Sequence, residues 1–394
     1  MYFIEFTIDI IGIYLSSYVL YILMLVFAHF FIKEKDRPAS SPKIRFAIII
    51  PAHNEELLLA RLLQSINKQR YPSELFKAIV IADNCTDGTA KIGRESGAHV
   101  LERFDNLNCG KGYAIKYALE NIDIKEYDAM FIIDADSVVD KDLLKELDIL
   151  IQEGKIAIQC YNGVFNHDDS WFTRMLAVSR TISNEIFHPA KVKLGFSSYL
   201  MGNGMCFSTT VLKKYGWDAF TIGEDWEYYA RLISSGEMIA FANKARVYHQ
   251  ESSSLKQATS QRMRWSSGRF EIALKYGVRL FYRGLLERNL KKVEASFPLI
   301  LPNPSLGMNI TILFFALSFL VTPSSRSFFN VWSLSLILIQ AGIFMIGIAY
   351  TEKKFKKLLS IFIAPLFLAW KMGIDMLSVI GFGRKEWKRT ERRL

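Results

Sequence analysis

Cysteine is scarce in this chain and nowhere paired. Cys85, Cys109, Cys160 and Cys206 lie far apart, so no zinc-ligand spacing can be read from them, and they fit reduced thiols in a cytosolic domain. The N-terminus lacks a basic stretch ahead of its first apolar run, and residues 27–32 offer no small-residue cleavage site. Both absences weigh against a cleaved signal peptide and for a retained anchor. Apolar spans are too few for a transport pathway, because over half of the 394 residues form one block without them.

What the chain has in excess is apolar and basic. Hydrophobic residues make up 51%, and the mean hydropathy is +0.15, high for a wholly soluble protein. The formal net charge is +10. Its basic residues gather beside apolar stretches, at 33–45, 353–357 and 384–393, which favours the cytoplasmic face of a membrane and its lipids over nucleic acid.

Residues 10–32 form the first long apolar run. At about 1.5 Å per residue it can cross a ~30 Å hydrocarbon layer. Two more spans are expected at 305–321 and 328–350, joined by the polar turn 322–327. The run 358–380 is interrupted by Pro365, Lys371 and Asp375 and has basic flanks on both sides, so a re-entrant or interfacial hairpin is expected there. From 250 to 292, Trp265, Phe270, Phe281 and Tyr282 stand among basic residues in a helical pattern, as in helices lying on a membrane surface. The division expected is a transmembrane anchor (1–33), a catalytic domain (43–255), amphipathic interface helices (256–296), C-terminal transmembrane and re-entrant or interfacial helices (297–383), and a basic cytosolic tail (384–394).

Residues 43–249 change character. Short β-branched apolar runs at 44–51, 78–83, 99–101, 129–134 and 156–160 alternate with helical patterns at 55–69, 89–96 and 111–121. Such alternation implies an α/β domain with a mostly parallel sheet, whose ligands sit beyond the carboxyl ends of the strands. His53-Asn54-Glu55, Asp83 and Asp134-Ala135-Asp136 each follow an apolar run directly, which draws them around one cleft.

Asp134 and Asp136 offer hard oxygen ligands suited to Mg²⁺ or Mn²⁺ and, through the ion, to phosphates. An Asp-x-Asp triplet also simply turns a chain after a strand; the lead-in Phe131-Ile132-Ile133 and the neighbouring acidic residues favour the ligand role. Glu224-Asp225 heads a helical pattern, either as a dipole-favoured cap or as a carboxylate that takes a proton from a hydroxyl. Arg264 and Trp265 offer a guanidinium for diphosphate and an indole for a sugar ring, though both types are common at membrane interfaces. The segment Asp83-Asn84-Cys85-Thr86-Asp87-Gly88 ends a strand and caps the helix starting near Thr89, and Asp83 can also contact a nucleobase. Lys111, flanked by glycines, suits nucleotide approach or is a plain loop residue. His249 is either a metal ligand or a satisfied surface histidine. Gly202-Asn203-Gly204 either lets a backbone approach a ligand or is a bare loop.

Taken in order, Pro51-Ala52-His53-Asn54-Glu55, Asp83, Lys111-Gly112, Asp134-Ala135-Asp136, Gly223-Glu224-Asp225 and Gln261 to Trp265 resemble glycosyltransferase family 2, in its membrane-integrated branch of cellulose, chitin, hyaluronan and poly-N-acetylglucosamine synthases. The resemblance covers about residues 43–268. It implies a GT-A (Rossmann-like) catalytic domain, a UDP-sugar donor, a divalent Mg²⁺ or Mn²⁺ and inversion at the anomeric carbon. On this chain it implies that Ala52, Asn54, Glu55 and Asp83 hold the uridine with Lys111 nearby, that Asp134 supports the nucleotide, and that Asp136 binds the metal. Asp225, beside Glu224, would be the base, and Gln261, Arg264 and Trp265 would close over the diphosphate and acceptor. The family usually has Thr where this chain has Gly223, which puts one hydroxyl contact in doubt.

The activity expected is a β-linked polysaccharide synthase in a bacterial plasma membrane, its catalytic domain cytoplasmic, with partner proteins for export or modification of the product. The alternative is transfer of a single sugar onto a lipid or lipid-linked oligosaccharide, which the small number of C-terminal spans keeps open. Glu224-Asp225 argues for a hydroxyl acceptor over a polyprenyl phosphate, which would need no base. An inactive scaffold or sugar sensor would show decay of an acidic landmark, and none has decayed.

Overall fold

The computed structural model describes residues 2–33, 40–252, 254–351 and 354–381. The basic tail expected at 384–394 lies outside them, as do parts of the basic segments 33–45 and 353–357. Eight strands, β1 (Phe46–Ala52), β2 (Phe76–Asp83), β3 (His99–Arg103), β4 (Ala129–Ile132), β5 (Ser137–Val139), β6 (Ala157–Val164), β7 (Met205–Ser208) and β8 (Ala240–His249), form one sheet. Their order is β3-β2-β1-β4-β7-β6-β8-β5. Four pairings are parallel, and the three that involve β7 or β5 are antiparallel.

The sheet is buried on both faces, which is why its central strands read as unbroken apolar runs. Along β1 the side chains alternate. Ala47 and Ile49 join Ile79, Ile81, Met130 and Ile132 beneath helices Lys111–Asn121 and Glu224–Ser234. Phe46, Ile48 and Ile50 join Val80, Phe131 and Ile133 on the other face, against helices Leu59–Asn67 and Leu143–Gln152. The expected helix from 55 begins only at Leu59, because Asn54 turns the chain at a positive φ of 54°. Helix Lys111–Asn121 coincides with the expected span.

Register places polar groups side by side at the strand ends. Asp83 pairs with Arg103 between β2 and β3, and Ser137 pairs with His249 between β5 and β8.

Helix Tyr2–Phe31 packs with helices Pro304–Leu317 and Pro323–Ala349 and with the segment 178–187, burying Leu15, Tyr18, Phe314 and Phe329. Among the described residues, three helices are long and apolar enough to cross a membrane, at Glu5–Phe31, Pro323–Ala349 and Ser360–Val379. A fourth candidate is the pair Leu290–Ile300 and Pro304–Leu320, bent by 76°. The span expected at 305–321 is therefore the second limb of a bent pair. Pro302 and Pro304 bracket the break, and Asn303 Oδ1 accepts from Leu306 N at 2.9 Å to start the new limb.

The hairpin expected over 358–380 is not formed; Ser360–Val379 is a single helical segment. Pro365 falls in the first turn of its α-helical part, Ala364–Val379, where a missing N–H costs nothing. Lys371 and Asp375, four residues apart, form a buried ion pair. The residues that argued against a straight helix neutralise each other.

Candidate active site

One cluster of ionisable groups beyond the strand ends is organised by Lys111. The preceding Gly110 has a φ of 122°, a conformation open to glycine, and delivers Lys111 to the start of its helix. Lys111 Nζ donates to an Asp134 carboxylate oxygen and to the Gly202 carbonyl, and lies 3.9 Å from Glu224 Oε1. Gly202 has a φ of 77°, and a Cβ built there would lie 3.2 Å from Asp225 Oδ2. The Gly202-Asn203-Gly204 segment is thus a wall of the site: Asn203 Oδ1 accepts from the Asp134 N–H at 3.1 Å.

Glu224 and Asp225 form the first turn of helix Glu224–Ser234, where the helix dipole favours their charge. Burial works against it. Burial, then the neighbouring Asp225, pushes Glu224 above the usual carboxylate range. Burial also raises Asp225, with the Lys111 ammonium pulling the other way. Burial disfavours the charge of Lys111 itself, but Asp134, Glu224 and Asp225 outweigh it and hold its pKa above the ordinary lysine value.

A second group lies at the ends of β1 and β2. Asp83 is buried in an ion pair with Arg103 Nη1 at 2.7 Å, and His53 Nδ1 is 2.7 Å from the Asp83 carbonyl. Burial raises the Asp83 pKa, with Arg103 opposing it. Asn54 Oδ1 accepts from Thr86 N at 2.8 Å, Glu55 N donates to Thr89 Oγ1 at 2.8 Å, and the Ala52 carbonyl accepts from Cys85 Sγ at 3.4 Å. These bonds tie the turn after β1 to the turn after β2.

The third group rides on helix Leu255–Ile272. Gln261 is buried there, Arg264 half-buried and Trp265 36% exposed. A polar relay joins this helix to the first cluster. Asn203 Nδ2 contacts Asn162 Oδ1 at 3.5 Å, His249 Nδ1 lies 2.9 Å from the same oxygen, and His249 Nε2 lies 3.2 Å from Glu251 Oε1. Arg262 Nη2 then donates to Glu251 Oε1 at 2.7 Å, and its guanidinium lies 5.1 Å from the centre of the Trp265 ring. Burial would raise Glu251, but Arg262, His249 and Arg180 together hold it well below the usual carboxylate range.

His249 is buried, not at the surface, and both its ring nitrogens have partners. Service as a metal ligand would break one of those bonds. Among the described residues no group of three His, Cys, Asp or Glu side chains is set to hold a metal ion alone. Asp136 is buried directly ahead of β5. As a hard carboxylate donor it suits Mg²⁺ or Mn²⁺ in chemistry, provided that substrate oxygens complete the shell.

The structure thus brings Lys111, Asp134, Glu224 and Asp225 together, gathers Ala52, Asn54, Glu55 and Asp83 in the β1–β2 turns, and through the relay reaches Arg262 on the helix that also carries Gln261, Arg264 and Trp265. Sequence reasoning missed Arg103, Glu251, Arg262 and Arg180. An arginine closing the strand beside the one that ends in Asp83 was a usable signal for Arg103. Nothing in the sequence marked Arg180, which approaches Glu251 and Asp225 from helix Trp171–Thr181.

Gly223, the departure from the family pattern, also has a structural setting. A Cβ on Gly268 would lie 3.2 Å from Gly223 N, and a Cβ on Gly223 would meet the Gly268 carbonyl carbon at 3.7 Å. The Gln261-bearing helix sits directly on the backbone ahead of Glu224, and the further atoms of a threonine would press on it.

Fold and site together describe an α/β domain whose strand ends open on a cleft lined by carboxylates and a lysine. The family model described as Glycosyltransferase like family 2 matches residues 42–268, more than half of the chain, and the protein belongs to that family. "Probable glycosyltransferase YdaM" of Bacillus subtilis (strain 168) is 25% identical over 281 residues, 67% of this chain and 65% of that protein. The "Beta-monoglucosyldiacylglycerol synthase" of Nostoc sp. (strain PCC 7120) is 27% identical over 252 residues, 62% of this chain and 52% of that protein. The matched region thus spans between half and two-thirds of these relatives. Among solved structures, the mannosyltransferase PcManGT from Pyrobaculum calidifontis, in complex with GDP-Man and Mn2+, aligns with a TM-score of 0.58 at 16% identity, over 94% of this chain and 99% of that one. That likeness is one of fold, the GT-A-like α/β arrangement.

Proposed function

We propose that the protein is an inverting membrane glycosyltransferase that moves one sugar from a UDP-sugar to a hydroxyl group of a lipid acceptor. The observation that carries the reading is the position of Asp225, whose Oδ2 lies where a Cβ on Gly202 would come within 3.2 Å, beside the Lys111 ammonium that holds Asp134 and the Gly202 carbonyl. It sets a carboxylate of raised pKa next to a fixed cation, as an acid–base step at neutral pH requires.

Asp225 accepts the proton of the acceptor hydroxyl as its oxygen bonds to the anomeric carbon from the face opposite the diphosphate. The bond from that carbon to the diphosphate breaks, and UDP leaves. Lys111 opposes the build-up of negative charge among the three carboxylates, and Gln261, Arg264 and Trp265 close over the diphosphate and acceptor. Asp83, Asn54, Glu55 and the Ala52 backbone hold the uridine. Asp136 would hold Mg²⁺ or Mn²⁺, which when bound would offset negative charge on the diphosphate. Loss of any one such group is expected to cost a hundredfold or so in rate, about 3 kcal/mol.

Two observations favour a lipid acceptor over a growing polysaccharide. Among the described residues the candidate spans number three, or up to four with the bent pair, few for a channel that passes polymer. Helix Leu255–Ile272 also docks directly on the span Ser360–Val379: Ser266 Oγ donates to Asp375 Oδ1 at 2.9 Å, and Trp370 Nε1 donates to Thr259 Oγ1 at 2.9 Å. Relatives named as monoglucosyldiacylglycerol synthases point the same way. The polysaccharide reading keeps the support of the Gln261 to Trp265 motif.

The test is purified protein in lipid nanodiscs, given a panel of UDP-sugars with Mg²⁺ or Mn²⁺ and diacylglycerol or lipid extract. UDP release with one sugar on a lipid, lost in Asp225→Asn, is the expected result. Long chains would establish the polysaccharide synthase, and silence with every donor would overturn both.

A further inference from the structure

The geometry points to a docking surface for anionic lipid headgroups on the segment that follows the Gln261-bearing helix. Helix Leu255–Ile272 runs without a break through the π-turn Ala273–Gly277 into helix Val278–Leu286. That last helix presents three distinct sectors. The first is already used: Gly277, Leu280 and Gly284 are buried. A Cβ on Gly284 would lie 2.7 Å from Val293 N, and one on Gly277 would lie 2.7 Å from Ile300 Cγ2. The helix is packed against Leu290–Ile300 as closely as backbone allows.

The second sector is apolar and faces outward. Leu274 (74% exposed), Val278, Tyr282 (61%) and Leu285 follow at helical spacing, with Leu286 (84%) and Leu290 beyond them. Folding of this chain gains nothing from these side chains, and so many in one row mark an interaction surface. The third sector is basic. Lys275, Arg279 and Arg283 stand four residues apart, each one position after an apolar member of the row, and all are exposed. Arg283 shares its charge with Glu287 at 3.5 Å in an exposed i,i+4 pair, which is weak in water.

An apolar stripe bordered by a cationic row is what an interfacial helix needs: the stripe enters the acyl boundary while the row meets anionic headgroups. Position supports this occupant. Phe281 lies 6.5 Å, centroid to centroid, from Phe297, which in turn makes an edge contact with Tyr21 at 5.0 Å. These rings seat the helix that carries the stripe beside the C-terminal half of the candidate span Glu5–Phe31. The inference rests on the reading of that helix as a span, and it adds the headgroup charge that the surface selects.

The test replaces Tyr282 with Trp in the full chain, reconstituted at one molecule per nanodisc. Brominated phosphatidylcholine or brominated phosphatidylglycerol is placed in a phosphatidylcholine background. Quenching beyond that of the parent protein is expected from either lipid, and at least twice as much from the phosphatidylglycerol. The excess should vanish in Arg279→Gln/Arg283→Gln, with the thermal midpoint unchanged. No added quenching would overturn the proposal, either because the stripe faces water or because a second copy of the chain covers it in larger assemblies. Equal quenching by the two lipids, unchanged by the arginine substitutions, would overturn it as well. Failure to reconstitute at all would count against the membrane reading instead.

Discussion

Arg262 donates to Glu251 Oε1 at 2.7 Å, with only 12% and 1% of their side chains exposed. This pair pins the helix that carries Gln261, Arg264 and Trp265 to the chain just after β8. Removing one partner of a buried pair strands the other charge at a cost of about 3–5 kcal/mol. Arg262→Met should lower thermal stability by that order, and Arg262→Met/Glu251→Gln should recover most of it. If the single and double variants melt alike, the pair does not hold the helix.

Lys111 pairs with Asp134 and lies within 3.9 Å of Glu224, and it lowers the pKa of Asp225. Lys111→Met should cut kcat/KM by about a hundredfold. Its second signature is pH. Asp225 is pushed up to about 6 by burial with Lys111 in place. As a base it works only when ionised, so activity falls as pH drops through that value. Without Lys111 the acidic limb should move to higher pH, and a limb that stays put would separate Lys111 from the base.

Glu224, pushed up to about 8 by burial and by Asp225, gives a stability prediction of opposite sign to activity. A carboxyl with a raised folded-state pKa keeps a proton that the unfolded chain releases. Native stability therefore declines as pH rises from the ordinary carboxylate range toward 8. Glu224→Gln removes the penalty: its thermal midpoint should exceed the parent's by an amount growing with pH over that window. A constant difference from pH 5 to 8 would count against it.

Arg103 and Asp83 are buried together, and their Cα positions are register partners. Arg103→Met should cost about 3–5 kcal/mol and raise the KM for the nucleotide donor. Arg103→Met/Asp83→Asn should regain stability while leaving the donor KM high. Recovery of both would make the pair purely structural.

Gly112 has no room for a side chain, since a Cβ would lie 2.2 Å from the Ala219 carbonyl oxygen. Gly112→Ala should destabilise by about 1–3 kcal/mol, the usual cost of overpacking, and should displace Lys111 next to it. Equal stability of the two proteins would refute the tight approach.

Much of the α/β domain was legible because its information is local. The runs 46–50, 78–82 and 129–133 are continuously apolar since both sheet faces are covered, and Asp83 and Asp134 follow two of them directly because strands stop where polar groups meet the cleft. Strand β7 and its antiparallel insertion between β4 and β6 were not legible: four residues carry no periodicity, and their place depends on partners some fifty residues or more away. The helix at 360–379 was misjudged for the same reason. Lys371 and Asp375 look like obstacles to a span until their pairing and their contact with Ser266 are seen.

By itself the order of residues determined the chemistry on offer: carboxylates at strand ends and a helix start, a glycine-flanked lysine, and an Arg-Trp helix beside apolar spans. Those are properties of side chains and of short-range pattern. Only the tertiary structure decided which of them meet. Lys111 lies 23 residues from Asp134 and 91 from Gly202 in sequence, and the choice of Arg262 as the partner of Glu251 follows from how the sheet and helices pack, which no local pattern encodes.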